Sequence, residues 1–155
     1  MKARTSTALR FDGDRLWVLD QQALPGHERW VDGSDPDAMI AHIQALKVRG
    51  APLIGVAAAL SLACLAGSSA SPQQLRRAAM RLREARPTAV NLMWAMDRML
   101  GIFEGDRVDP VALEQEAEAI FDEDVALCEG MATRGAALLE DGDGVLTHCN
   151  TGGLA

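Results

Sequence analysis

The chain has 155 residues, of which 48% are hydrophobic, and its 15 basic and 22 acidic residues give a formal net charge of −7. The hydrophobic share supports a packed core and excludes a globally disordered chain. The acidic balance disfavours a protein that binds nucleic acid or an anionic membrane, because such proteins carry a basic face. It is compatible with a small anionic ligand held by a few local arginines.

Short apolar runs within residues 9–32 predict a small antiparallel sheet. The runs Leu16–Leu19 and Glu28–Val31 flank a proline-glycine turn, which is the spacing of a β-hairpin with a longer loop. We expect Trp17 and Trp30 to lie in the core of this sheet rather than to form a ligand platform.

A helical pattern begins at Asp35, which is a good N-cap before Pro36 as the first helical residue. A second helix is predicted from Pro52 to about Ala66, ending at Gly67. That helix is apolar on nearly every side, so we expect it at the centre of a bundle. Its apolar stretch is shorter than the roughly 20 residues that span a bilayer, which predicts no membrane segment.

Three further helices have recognisable starts. Ser71 and Gln74 form a capping-box pattern, the fourth helix follows Pro87-Thr88 with Thr88 as its cap, and Asp109-Pro110 begins the fifth.

The faces of two of these helices are also predicted. The arginines of the third helix are expected to form a face exposed to solvent. In the fifth, an apolar stripe for the core is predicted at Leu113, Ala117, Ile120, Val125, Cys128, Met131 and Leu138. The acidic residues of the fifth helix are read as its polar face rather than as a metal site.

Asp141–Gly144 breaks the fifth helix, and Val145–Cys149 reads as a buried strand that leads into a glycine loop. A helical segment followed by an apolar strand and a glycine loop is typical of a parallel α/β domain at its beginning. We therefore expect one domain over residues 1–140 and the first strand of a second, otherwise missing domain over residues 141–155. An unpaired strand would expose an edge that favours association.

Two segments combine an arginine with residues that bend the backbone, Arg49-Gly50-Ala51-Pro52 and Arg86-Pro87-Thr88. In each, the arginine offers a forked donor that matches phosphate oxygens, and the helix that follows directs its positive end at the same place. Either segment alone is equally compatible with a plain turn between helices that carries a solvent-exposed arginine. Together they favour an anionic ligand.

Cys149 stands at the predicted strand end, before Asn150-Thr151-Gly152-Gly153. It could be a nucleophile, a proton-transfer group or inert packing. His148 is a doubtful partner for it, because neighbours on a strand point to opposite faces. Cys64 and Cys128 are expected in the core. Three widely spaced cysteines fit neither a disulfide framework nor a zinc cluster, and with no signal peptide visible we expect a cytoplasmic protein.

The segments Val48–Ala57, Arg86–Ala95 and Leu146–Gly152 resemble the methylthioribose-1-phosphate isomerase family, within the superfamily of the alpha, beta and delta subunits of translation initiation factor 2B. The three motifs occur in the family's order and span essentially the whole chain. The resemblance implies an α/β protein with a small antiparallel sheet and helical bundle followed by a Rossmann-like domain, forming a homodimer at full length. It also implies an aldose–ketose isomerase of methionine salvage that needs no cofactor.

By that resemblance Arg49, Gly50, Ala51 and Arg86 bind the sugar phosphate, mainly its phosphate, and Cys149 is the active-site cysteine. The family's general-acid aspartate belongs to the downstream domain and has no matching position here, so we expect the isolated chain to be inactive. Two alternatives stay open: an isomerase of another pentose phosphate, such as 5-deoxyribose 1-phosphate or ribose 1,5-bisphosphate, and a non-catalytic regulatory subunit.

Overall fold

The computed structural model describes residues 1–148 and residue 154. The chain begins with a four-stranded antiparallel sheet, whose strands lie side by side in chain order. The predicted hairpin is confirmed, since Leu19 lies opposite Trp30 across the last pair of strands. The strands are β1 (Arg4–Thr5), β2 (Leu9–Phe11), β3 (Leu16–Leu19) and β4 (Trp30–Asp32).

One face of the sheet is buried, but the tryptophans are not on it. Leu16 and Val18 of β3 are buried, so Trp17 between them points to the other face, where it lies opposite Arg10. Trp30 is half-buried beneath the Arg10 guanidinium, at 3.8 Å from the ring centre. The expected tryptophan core is therefore wrong, because alternation along each strand gives the inner face to leucine, valine and phenylalanine.

Five helices follow the sheet. The predicted side-chain caps of the first, third and fifth helices are all present: Asp35, Ser71 with its full capping box, and Asp109. The helices are α1 (Pro36–Gln44), α2 (Ala51–Gly67), α3 (Pro72–Glu84), α4 (Val90–Gly101) and α5 (Pro110–Ala136).

α2 is the centre of the bundle, as its all-round apolar sequence predicts. It packs against each of the other four helices and against β3. Eleven of its seventeen residues are buried, so its stability comes from packing on every side rather than from one apolar stripe. None of the helices in the described part of the chain is both long and apolar enough to cross a membrane.

The arginines of α3 are not a purely solvated face. Arg76 donates a hydrogen bond to the carbonyl of Gly105, Arg81 pairs with Asp37 of α1, and Arg83 holds Asp97 of α4. Three of these side chains therefore connect α3 to other parts of the bundle.

Only the first half of α5 enters the core. Leu113, Ala117 and Ile120 are buried as predicted, but Val125, Cys128, Met131 and Leu138 are exposed. The predicted stripe is wrong beyond residue 121, because no described element packs over the second half of the helix. Residues 145–148 are likewise not in a strand: no other strand among residues 1–148 lies beside them to pair with their backbone groups.

Candidate functional site

The site is built on the N-termini of α2 and α4. α2 begins at Ala51 with Gly50 at its cap position, and α4 begins at Val90 with Ala89 at its cap position; neither has a side-chain cap. Thr88 therefore does not cap α4 as the sequence predicted. Uncapped first-turn N–H groups and the helix dipole both attract an anion.

Gly50 has a φ of +100°, in the region that residues with a side chain avoid. This conformation turns the chain from the segment before it directly into the first turn of α2, where Ala51 is exposed. A side chain at position 50 would therefore strain the backbone.

Arg49 and Arg86 flank these two helix starts, and both side chains are half-buried. Within residues 1–148 neither guanidinium forms an ion pair, whereas Arg4, Arg83 and Arg98 all hold carboxylates. Arg49 and Arg86 are therefore available to a ligand from outside the described chain.

A close helix contact joins the two starts. A Cβ atom on Gly55 of α2 would lie 2.7 Å from the carbonyl oxygen of Asn91, the second residue of α4, and 3.2 Å from the Cβ of Ala95. Only glycine allows this approach. Because Gly55 and Asn91 lie within about a turn of their helix starts, the segments carrying Arg49 and Arg86 are brought together at one end of the bundle.

Sequence reasoning assigned no role to Gly55. The sequence feature that could have predicted this contact is a glycine inside an otherwise apolar helix. Alanine would be about 1 kcal/mol more favourable there, so a glycine at such a position indicates that another backbone approaches closely.

A groove of about 380 Å³ opens beside the two helix starts, between α2, α4 and α5. Arg98 organises its rim: the guanidinium lies 4.8 Å from the centre of the Trp94 ring and binds both carboxylate oxygens of Glu123. The lining is mainly apolar and comprises Pro52, Gly55, Val56, Val90, Asn91, Trp94, Ile120, Glu123, Asp124 and Leu127.

Two carboxylates of this groove differ in their electrostatics. The hydrogen bond from Arg98 lowers the pKa of Glu123, while burial raises the pKa of Asp124. Glu123 is therefore the more firmly ionised of the two. In the described part of the chain no three histidine, cysteine, aspartate or glutamate side chains are grouped as metal ligands.

The cysteines fall into three situations. Cys149, the predicted catalytic residue, lies outside the described residues. Burial raises the pKa of the half-buried Cys64 thiol to about 12, so this cysteine stays protonated and unreactive at neutral pH. Cys128 is exposed on α5, contrary to the prediction that it lies in the core.

The fold is an α/β domain in which a helical bundle packs against a small sheet, with the N-termini of α2 and α4 side by side at one end. The chain belongs to the initiation factor 2 subunit family, which matches residues 47–155. It is 50% identical to the methylthioribose-1-phosphate isomerase of Citrobacter koseri over 155 residues, which is 100% of this chain and 45% of that protein. It is 49% identical to the Yersinia pestis protein of the same name over 151 residues, 97% of this chain and 43% of that one.

Two crystal structures share the fold. That of 5-methylthioribose 1-phosphate isomerase from Pyrococcus horikoshii matches with a TM-score of 0.85 and 31% identity, over 97% of this chain and 45% of that chain. The structure of subunit delta of translation initiation factor eIF-2B from A. fulgidus matches with a TM-score of 0.78 and 34% identity, over 97% of this chain and 46% of that chain. The chain thus spans a little under half the length of these relatives.

Proposed function

We propose that this chain provides the phosphate-binding part of an aldose–ketose isomerase, which converts 5-methylthioribose 1-phosphate to 5-methylthioribulose 1-phosphate in methionine salvage. The observation that carries the proposal is the meeting of two uncapped helix N-termini at the Gly55–Asn91 contact, each preceded by an arginine that forms no ion pair among residues 1–148. The names of the 50% and 49% identical relatives support this substrate and reaction.

The first role of the site residues is to bind the phosphate group of the substrate. Arg49 and Arg86 offer forked donors to its oxygens, and the first-turn amides of α2, starting at Gly50 and Ala51, complete the cradle. Fixing the phosphate places C1 and C2 of the sugar at a defined distance from the protein, which lowers the entropic part of the barrier.

The chemistry needs two further groups. The anomeric oxygen carries phosphate, so the ring does not open as in a free sugar, and an acid must protonate the ring oxygen while hydrogen passes from C2 to C1. We assign Cys149 to the C1–C2 region, as the group that transfers a proton or stabilises the transition state. The acid is assigned to the part of the relatives that this chain does not match.

The proposal also includes the location, oligomeric state, cofactors and domains of the protein. It is a cytoplasmic homodimer acting on a small sugar phosphate, with no metal or other cofactor and no nucleic-acid or membrane partner. Residues 1–140 form one domain and residues 141–155 open a second, Rossmann-like one.

Proton and phosphorus NMR with 5-methylthioribose 1-phosphate tests the reaction. Two samples are compared: the chain itself, and a fusion in which the C-terminal part of the Citrobacter koseri relative follows residue 155. The fusion is expected to form the open-chain ketose phosphate and the chain alone is not. Cys149→Ala in the fusion should abolish turnover, and Cys128→Ala, on the exposed face of α5, is the matched control.

A fusion that leaves the substrate unchanged while folding normally would contradict the isomerase assignment. Turnover of 5-deoxyribose 1-phosphate or ribose 1,5-bisphosphate in its place would redirect the assignment to another pentose phosphate.

The 34% identity to the A. fulgidus subunit delta favours a second candidate, a non-catalytic, ligand-sensing regulatory subunit. This candidate predicts saturable binding without turnover in the fusion, and a stable complex with other regulatory subunits. Loss of Cys149 would then leave ligand affinity unchanged.

A further inference from the structure

Gln21 is one of three polar or charged residues that are buried among the described residues, together with Asp20 and Ser61. It lies two residues beyond β3 and is 6% exposed. Burying a side-chain amide is unfavourable unless its polar atoms form hydrogen bonds. Its partners therefore indicate why the position is polar.

Two hydrogen bonds of Gln21 reach the segment that leads into α2. Its backbone N–H donates to the carbonyl of Lys47 at 3.0 Å, and its side-chain Nε2 donates to the carbonyl of Arg49 at 3.2 Å. The neighbouring Asp20 carboxylate lies 3.9 Å from the Lys47 Nζ. The turn after β3 is thus attached to the backbone on the N-terminal side of Gly50.

That segment needs external support. It connects α1 to α2 and contains two residues in the left-handed region, Leu46 with a φ of 56° and Gly50 with a φ of +100°. For leucine this conformation is unfavourable, and such backbone persists only where its surroundings fix it. The two bonds from Gln21 fall between these two residues.

We propose that Gln21 is a positioning residue for the phosphate site: by holding the Arg49 carbonyl, it fixes the peptide that directs the Arg49 side chain and the amides of Gly50 and Ala51 toward the anion. The inference rests on the proposed function for the identity of the anion. It adds a residue from the turn after β3 to a site otherwise built on two helix starts.

The test uses the ¹⁵N-labelled 155-residue chain titrated with inorganic phosphate, followed at the Gly50 and Ala51 amides. Gln21→Met keeps the length of the side chain and removes its hydrogen bonds. We expect it to weaken phosphate binding about fivefold, the size of one net hydrogen bond, and to lower the order parameters of the amides from Val48 to Ala51.

Gln74→Met is the matched control, since it removes a glutamine side-chain hydrogen bond from the capping box of α3. Urea unfolding is measured for both variants, so that lost stability is separated from lost positioning. If Gln21→Met does not fold, Gln21→Asn is measured by the same criteria, because its amide is one methylene too short to reach the Arg49 carbonyl.

Unchanged affinity and unchanged loop order parameters in the Gln21 variant would overturn the proposal, as would an equal loss of affinity in Gln74→Met. Failure of the proposed function has a different signature: the Gly50 and Ala51 amides of the wild-type chain would not respond to phosphate. The order parameters would in that case still report whether Gln21 fixes the loop.

Discussion

The arginines of this protein divide into those that hold the fold together and those that do not. Arg4 binds Glu118 and Asp122 of α5, and Arg98 binds Glu116 and Glu123. Arg49 and Arg86 have no such carboxylate in the described chain. Because a bound carboxylate occupies some of the five N–H donors of an arginine and offsets its charge, the second group is better suited to an incoming phosphate.

Arg49→Met is therefore expected to raise the KM of the fusion about 10- to 100-fold, since a hydrogen bond to a charged group is worth about 1.5–3 kcal/mol. Its stability should change little, because no ion pair in the described residues is lost. The measurement is the rate of ketose phosphate formation against substrate concentration. Arg77→Met, at an exposed position on α3, should leave KM as it is.

If Arg49→Met and Arg77→Met gave the same KM, the phosphate would have to bind elsewhere. A large loss of stability in Arg49→Met with an unchanged KM would make Arg49 a structural residue instead.

Cys64 and Cys128 should differ sharply toward alkylation. The raised pKa of Cys64, about 12, leaves almost no thiolate at pH 8, and the side chain is half-buried. Cys128 is exposed. With iodoacetamide at pH 8, peptide mass spectrometry is expected to find Cys128 modified and Cys64 intact in the folded chain, and both modified in urea. Equal labelling of both in the folded chain would contradict the packing around α2.

At the residue scale, the sequence identifies what is local and misses what depends on distant neighbours. Arg49 and Arg86 are recognisable because the glycine and proline beside them are adjacent in the chain. Gln21 contacts a carbonyl 28 positions away, and its role depends on how the sheet lies against the bundle. Trp17 was misplaced because its hydrophobicity suggested burial while strand alternation decided its face.

At the element scale, the contact between α2 and α4 sets the geometry of the site. A methyl group on Gly55 would be 2.7 Å from the Asn91 carbonyl oxygen, so the two helices would have to separate. Gly55→Ala is expected to destabilise the fold by about 1–3 kcal/mol, the usual cost of overpacking. It should also weaken phosphate binding, because the two helix starts move apart.

Gly130→Ala is the matched control, because it lies in the interior of α5 with nothing within 4 Å of an added Cβ. There the same substitution should stabilise the chain by up to about 1 kcal/mol through helix propensity. Urea unfolding followed by circular dichroism gives both values. A Gly55→Ala variant as stable as Gly130→Ala would contradict the close helix contact.

The starts of α1, α3 and α5 were predicted well because capping chemistry acts over three residues: Asp35, Ser71 and Asp109 each cap the helix that the sequence assigned to them. The burial predicted for the second half of α5 was wrong, because an apolar residue at helical spacing is buried only where another element covers it. The strand predicted at Val145 has the same difficulty, since a strand exists only beside a partner.

At the scale of the whole molecule, ion pairs connect α5 to elements far away in sequence. Arg4 brings β1 onto α5, and Arg98 brings α4 onto it. Both use the first half of the helix and its acidic residues. The acidic face of α5, read from the sequence only as a polar surface, is therefore what attaches this helix to the sheet and to α4.

These contacts make stability depend on pH in the acid range. Arg98 lowers the pKa of Glu123 below its ordinary value of 4.5, and Arg4 and Arg83 lower those of Asp122 and Asp97 below 3.8. A carboxylate whose pKa is lowered by folding binds protons less readily in the folded state than in the unfolded state. Its contribution to the free energy of unfolding is therefore complete above the unfolded-state pKa, and it is lost as the pH falls through the folded-state pKa. Asp124, whose pKa is raised by burial, works in the opposite direction.

The free energy of unfolding is therefore expected to be nearly constant from about pH 7 to 5 and to decrease below about pH 4.5. Arg98→Met should make that decrease shallower, because Glu123 then titrates alike in both states, and Arg77→Met should leave the profile unchanged. Urea unfolding at pH 7, 5, 4 and 3, in constant salt because exposed pairs are screened, gives the profiles. If Arg98→Met lost stability equally at every pH, Arg98 would stabilise the fold through its contact with Trp94 rather than through its carboxylates.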